Sequence, residues 1–329
     1  MTTPPTDRPR AGRRRFALGA SALALAASLG GLTARAQAPA APIRIGYQKF
    51  NTLNILKGTG NLEKALAPTG VAVQWHEFQA GPQLLEAMNA GSVDFGHAAD
   101  APSVFAQAAG VDFAYLAAEP PYPDGIGVLV APGSAVKAVG DLKGRRVAIG
   151  RGWNVQYMLV RALEEAGLGY GDIEPVYVTN AADARAAFES GRVDAVGLWD
   201  PFLAGAELSG GPTVLRNGQG LSSNRTFYLA PPAFAAARQD VLRVVFDELR
   251  KMEAWAQAHP DEVAALLAPQ LGVPVPVLRL ATGRRQYGVT PIDAGIVAEQ
   301  QRMAEVFLSL GLIKRSIVVG DAVVARSPL

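Results

Sequence analysis

The sequence predicts an α/β protein built from two similar lobes. Three observations carry that expectation. Strand-like and helix-like segments alternate along the chain, which implies parallel-sheet organisation. A ten-residue block recurs after 100 residues. The chain has 329 residues, room for about two domains of roughly 150 residues each.

The elements follow in order. Ile43-Arg44-Ile45-Gly46-Tyr47 reads as a short buried strand running into a loop. Residues 54–66 have the apolar spacing of a helix. Residues 71–75 form a second strand. Residues 82–90 place Leu84, Leu85 and Met88 on one helical face, and Gly91 stands just past the end, where glycine terminates helices. Residues 93–96 are a third strand and residues 101–108 a further helix.

The pattern then repeats. Ala87-Met88-Asn89-Ala90-Gly91-Ser92-Val93-Asp94 precedes Asp100, and Ala187-Phe188-Glu189-Ser190-Gly191-Arg192-Val193-Asp194 precedes Asp200. Ile43-Arg44-Ile45-Gly46 is echoed by Val147-Ala148-Ile149-Gly150. Helix–glycine–strand successions are common, but five identities in register favour one lobe plan used twice. In open sheets ligands bind outside the carboxyl ends of strands. Loops 47–52, 97–101, 151–156 and 199–202 are therefore expected to line a shared cleft. Residues 120–125 and 217–225, broken by Pro, Gly and polar residues, are the expected crossings between lobes. Beyond residue 231 the chain reads as mostly helical, with an amphipathic stretch at 241–259.

The first 36 residues read as an export leader. Arg13-Arg14-Arg15-Phe16 is followed by an uncharged run, and Ala34-Arg35-Ala36 supplies small residues at −3 and −1 of a cleavage site. The arginine block is a partial twin-arginine signature, with Ala17 where Leu is usual. The leader holds six Arg and one Asp, so its removal leaves 25 basic against 28 acidic residues. The remaining chain carries no nucleic-acid footprint. The expected layout is a leader at 1–36, lobe 1 at 41–122, lobe 2 at 123–222, and a return to lobe 1 at 223–329.

The chain has no cysteine. That excludes disulfides, thiolate metal sites and a cysteine nucleophile. Three scattered histidines, His76, His97 and His259, make a poor metal site. Gly58-Thr59-Gly60 lacks the Lys-Ser/Thr of a phosphate loop. No cofactor is expected.

Several segments together resemble the substrate-binding proteins of ABC importers, in the aliphatic-sulfonate-binding branch of the sulfonate, taurine and nitrate group. They are Ile45-Gly46-Tyr47-Gln48-Lys49, Phe78-Gln79-Ala80-Gly81-Pro82-Gln83, Phe105-Ala106-Gln107-Ala108-Ala109-Gly110, Asp141-Leu142-Lys143-Gly144, Trp199-Asp200-Pro201 and Phe227-Tyr228-Leu229-Ala230. The resemblance covers roughly residues 43–312. It implies a two-lobed periplasmic-binding-protein (type II) fold that closes on a small organic anion, most of all an aliphatic sulfonate. A membrane permease would be its partner, the periplasm its location and a monomer its form. Nitrate, a sulfate ester or an aromatic sulfonate are the alternative ligands. Desulfinases of this architecture use a cysteine, so an enzyme is disfavoured. One departure concerns the ligand: relatives carry a run of serines after the second-lobe glycine, whereas this chain has Gly150-Arg151-Gly152-Trp153-Asn154-Val155-Gln156.

A sulfonate has one permanent charge and three acceptor oxygens, so it suits backbone N–H groups at a helix N-terminus. The candidate contacts follow. Gly152, Trp153 and Asn154 open the helix of the second-lobe loop, and Arg151 adds charge beside them. Gln48 and Asn51 sit in the matching first-lobe loop. Ala99 lies in the cleft loop at 97–101, and Tyr228 in the matched segment 227–230. Asp100 and Asp200, each followed by a proline within two residues, are expected first of all to cap helices and only then to touch ligand. Trp199 is either an apolar wall for the organic tail or core. Arg284 and Arg285 are expected first as surface ion pairs, with an Arg that reaches the cleft or bridges the lobes as the alternative, and His97 first as a satisfied strand-end histidine and otherwise as a ligand contact.

Overall fold

The computed structural model describes residues 41–329. The leader at 1–36 lies outside them. The chain first lays down β1 (Ile43–Gln48), α1 (Thr52–Thr59), α2 (Asn61–Leu66), β2 (Val73–Phe78), α3 (Gly81–Asn89), β3 (Phe95–Ala99), α4 (Asp100–Ala109) and β4 (Ala114–Ala118). It continues with β5 (Ile126–Val130), β6 (Arg146–Ile149), α5 (Asn154–Glu165), β7 (Glu174–Tyr177), α6 (Ala181–Glu189), β8 (Ala195–Trp199), α7 (Phe202–Leu208) and β9 (Thr213–Asn217). The last stretch holds β10 (Thr226–Ala230), α8 (Pro232–Ala237), α9 (Gln239–Ala258), α10 (Pro260–Leu271), α11 (Val275–Gly283) and α12 (Ala294–Ser309). The helix expected at 54–66 is two helices, because Gly60 at φ +64° takes the left-handed conformation that ends α1.

Two five-stranded sheets result, ordered β2-β1-β3-β10-β4 and β7-β6-β8-β5-β9. They share one plan. In each, the second, first and third strands run parallel, and a fourth position is antiparallel to its neighbours. The expected parallel organisation holds for β2, β1 and β3 and for β7, β6 and β8, and the antiparallel fourth position makes each sheet mixed. The antiparallel members are β10 and β5, the strands that follow each passage from one sheet to the other. Such a strand enters from the opposite side and so runs against the strands already there.

The 100-residue echo has a structural meaning. Asp94 and Asp194 do the same work in the two sheets. Each backbone N–H donates to the carbonyl of an arginine at the start of the first strand, Arg44 or Arg146, at 2.8 Å. Each carboxylate accepts from that arginine's N–H at 2.9 Å. Asp100 and Asp200 echo as well: Asp100 N–H donates to the carbonyl of Arg225 and Asp200 N–H to that of Gly125. Both acceptors lie in the segments that connect the sheets.

Three apolar clusters hold the body together. One joins the first sheet to α1, α2 and α8–α11, with Ile43, Leu53, Phe95 and Phe246 at its centre. A second packs the opposite face of that sheet under α3, α4 and α12. The third belongs to the second sheet and includes Val147, Leu159, Val196 and Trp153. Each of the first two would count as a core by itself; together they fix the first sheet rigidly beneath the loops at its carboxyl edge.

Candidate functional site

A cavity of about 80 Å³ lies where loops from both sheets meet. From the first sheet it receives Gln48, Lys49, Phe50 and Asn51 from the end of β1 onward, Ala80 and Gly81 at the start of α3, and His97, Ala99 and Pro102 around the end of β3. The second sheet contributes Trp153, Asn154, Trp199 and Asp200. Tyr122, Gly125, Asn224 and Thr226 come from the connecting segments or their edges, and Arg285 follows α11.

Of the residues singled out from sequence, Gln48, Asn51, Ala99, Trp153, Asn154, Trp199 and Asp200 share this cavity. Four do not line it. Tyr228 is buried inside the first lobe, where its hydroxyl meets Thr52 at 2.7 Å, Glu119 at 2.8 Å and Glu253 at 3.1 Å. Asp100 is buried behind the wall; one oxygen accepts from Ala101 N–H at 2.8 Å and the other has no partner among the described residues. Arg151 is exposed, its guanidinium 4.8 Å from the centre of the Tyr177 ring. Gly152, at φ +73°, turns its N–H to the Gln156 side chain at 2.7 Å, and Phe105 packs over its α-carbon.

Helix beginnings dominate the wall. Asn51 caps α1 by accepting from Asn54 N–H. Ala80 precedes α3 and Trp153 precedes α5, and no side chain caps either helix. Asn154 is the first residue of α5, and its amide nitrogen donates to Asn224 at 2.7 Å, joining α5 to a connecting segment. The first-turn N–H groups of α3 and α5 therefore have no side-chain acceptor, and their partial positive charge remains at the cavity. Gln48 is engaged too, donating to the carbonyl of His97 at 3.1 Å.

The favoured surface reading of Arg284 and Arg285 is corrected, and the alternative of reaching the cleft fits Arg285. Arg285 is 7% exposed, pairs with Glu119, and sits among the rings of Phe50, Tyr122 and Tyr287. Arg284 binds Asp200 at 3.0 Å and Glu207 at 3.0 Å. Burial pushes the Asp200 carboxyl up to about 6, against the pull of Arg284 and of the Tyr122 hydroxyl. Asp200 also accepts from Ala204 N–H at 3.1 Å, so the capping role expected for it is present. His97 is not the satisfied histidine expected: neither ring nitrogen has a partner among the described residues. Burial pushes its imidazole down to about 4, with Glu119 opposing and Arg285 assisting. A basic pair beside Pro- and Gly-rich turns was the one signal that could have located Arg285.

The aromatic wall lies on the second-sheet side. Trp153 and Trp199 meet edge to face at 4.7 Å, and Phe202 stands edge-on to Trp199 at 5.6 Å. Trp153 is 4% exposed, so it is core and cavity wall at once.

Residues 67–263 match the family described as NMT1/THI5 like. The chain is 39% identical to an aliphatic sulfonates-binding protein of Escherichia coli K12 over 90% of its own length and 93% of the relative's. It is 30% identical to an aliphatic sulfonates-binding protein of Bacillus subtilis 168, covering 85% of each. Among solved structures, the alkanesulfonate-binding protein SsuA of Xanthomonas axonopodis pv. citri, bound to MOPS, superposes with a TM-score of 0.82 at 36% identity, over 87% of this chain and 98% of that one.

Proposed function

This chain belongs to the NMT1/THI5-like family, among its aliphatic-sulfonate-binding proteins, and from that premise we propose how it works: it captures a small organic sulfonate in the cleft between its lobes and hands it to an ABC permease. The observation that carries this reading is the meeting of the α1, α3 and α5 N-termini at one cavity, with α3 and α5 free of side-chain caps. An oxyanion is what such a wall binds.

Charge supports a singly charged ligand. Lys49, Arg284 and Arg285 stand against Glu119, Asp200 and Glu207, so the charged side chains balance and the helix N-termini supply the positive field at the cavity. A singly charged sulfonate, sulfate monoester or nitrate needs less compensation there than a dianion. The contacts we assign are the N–H groups opening α3 and α5, with Gln48, Asn51, Asn154 and Asp200 shaping the head-group end. The Trp153–Trp199 pair would line the tail, which favours a flat or ring-bearing sulfonate as the second reading.

The lobes would be residues 41–122 with 223–329, and residues 123–222. The leader at 1–36, with its twin-arginine-like start, would be removed on export to the periplasm. The protein would act as a monomer that binds its ligand and does not transform it. Titration calorimetry with ethanesulfonate, benzenesulfonate, nitrate and sulfate tests the reading. Sulfonates should bind and sulfate should not; tight sulfate binding with no sulfonate binding would refute it.

A further inference from the structure

We propose that His97 is the side-chain donor of the first-lobe floor to the bound anion and so a determinant of which head groups the cleft accepts; this rests on the sulfonate reading above. His97 pairs with Tyr228 across β3 and β10, which puts both side chains on one face of the sheet. Tyr228 faces inward to the lobe, while His97, nearer the carboxyl end of β3, lines the cavity. The residue is only 3% exposed, and both ring nitrogens lack a partner among the described residues. Buried polar atoms without partners are rare and costly, and they mark places where an outside group completes the bonding.

The neighbours cannot complete it. Gln48 spends its amide on the His97 carbonyl. Glu119 is occupied by Thr52, Tyr228 and Arg285. What remains on the same cavity is the Arg285 Nε, also buried and without a partner among the described residues. Two unspent donors on one wall call for acceptor oxygens rather than for an apolar tail or a cation. The charged groups around the imidazole are Glu119, Arg285, Lys49 and, across the cavity, Asp200. Burial and Arg285 keep the ring neutral, so it offers an N–H without adding charge. The floor thus gains a hydrogen bond with no change in the charge of the cavity.

The chain has three histidines, and the other two, His76 and His259, are exposed. Their ring signals can therefore be told apart from that of His97 by nitrogen-15 NMR. Saturating ethanesulfonate should move the His97 ring nitrogens and leave the other two in place. His97→Leu should weaken ethanesulfonate binding about ten- to hundredfold, the scale of a hydrogen bond to a charged group. His97→Gln, which restores an N–H, should recover part of that loss. Silent His97 ring signals at saturation overturn the proposal, and so does a folded His97→Leu protein that binds like wild type. If His97→Leu fails to fold, the NMR titration of the wild type decides alone. Wild type that binds no sulfonate at all refutes the functional reading and this proposal together; wild type that binds with His97 unmoved refutes only this one.

Discussion

Arg284 and Arg285 are adjacent in the chain and serve opposite lobes. Arg284 reaches Asp200, Glu207 and the carbonyl of Asp124, all on the side of the second sheet. Arg285 turns the other way, to Glu119 at the end of β4 in the first. One dipeptide after α11 therefore ties a carboxylate from each side to the base of the cleft. Asp200 is almost wholly buried, so its charge depends on Arg284 for compensation. Arg284→Met should cost about 2–4 kcal/mol in urea unfolding at pH 7, below the upper range for a buried pair because the arginine keeps some exposure. Adding Asp200→Asn should recover at least half of that loss. A cost under about 0.5 kcal/mol would place the pair with ordinary surface bridges.

Asp100 gives a pH prediction. Burial pushes its carboxyl up to about 7, against backbone N–H groups that favour the charge. A carboxyl raised on folding binds its proton more tightly in the native state than in the unfolded one. Stability then falls as pH rises from about 4 to about 7, and the penalty stays in place above that. Asp100→Asn should raise the melting temperature at pH 8 and give no gain at pH 4. Melting curves across that range decide it; an equal gain at both ends would mean the charge is not the cause.

Trp153 and Trp199 separate tail recognition from core. A ring as buried as Trp153 cannot be removed without harm to the lobe. Trp153→Ala should lower stability by about 3–5 kcal/mol as well as weaken the preferred ligand by about 1–3 kcal/mol. Trp199 is half-buried, so Trp199→Leu should change the ranking of ethanesulfonate against benzenesulfonate at a much smaller cost in stability. Calorimetry and melting of both variants test this, and an unchanged ranking in both would remove the tail from this wall.

Ligand capture should be reversible and mechanical. Small-angle scattering with a binding sulfonate should show a more compact particle than without it. The recovered ligand should have its original mass. A new product formed by the pure protein would mean catalysis.

The leader is tested on protein purified from its native compartment. Intact mass should place the first residue near Gln37. Recovery of a membrane-held form that still begins at Met1 would show that the segment is an anchor.

Local order was legible in the sequence wherever a short segment decides its own conformation. Apolar spacing marked α3 and the amphipathic α9, and Gly91 marked the stop of α3. The Val-Asp repeat marked two lobes because Asp94 and Asp194 each close a strand start by the same bonds. Four cleft loops followed from the rule about strand ends, and each supplies at least one residue to the cavity.

Other features depend on contacts between residues far apart in the chain, and the tertiary structure alone decided them. The direction of β5 and β10 depends on which lobe the chain has just left, and no property of the strand itself records that. Tyr228 belongs to a matched motif, yet packing turns it into the lobe rather than to the cleft. Sequence leaves Arg285 and His97 between a bland reading and a cleft reading, because burial and lost partners are properties of surroundings that residues such as Glu119 and Phe50 supply. The sequence by itself determined the elements, the repeat and the kind of ligand chemistry. The tertiary structure decided which donors stay unspent at the cavity, since a hydrogen bond is spent or left free only when distant segments meet.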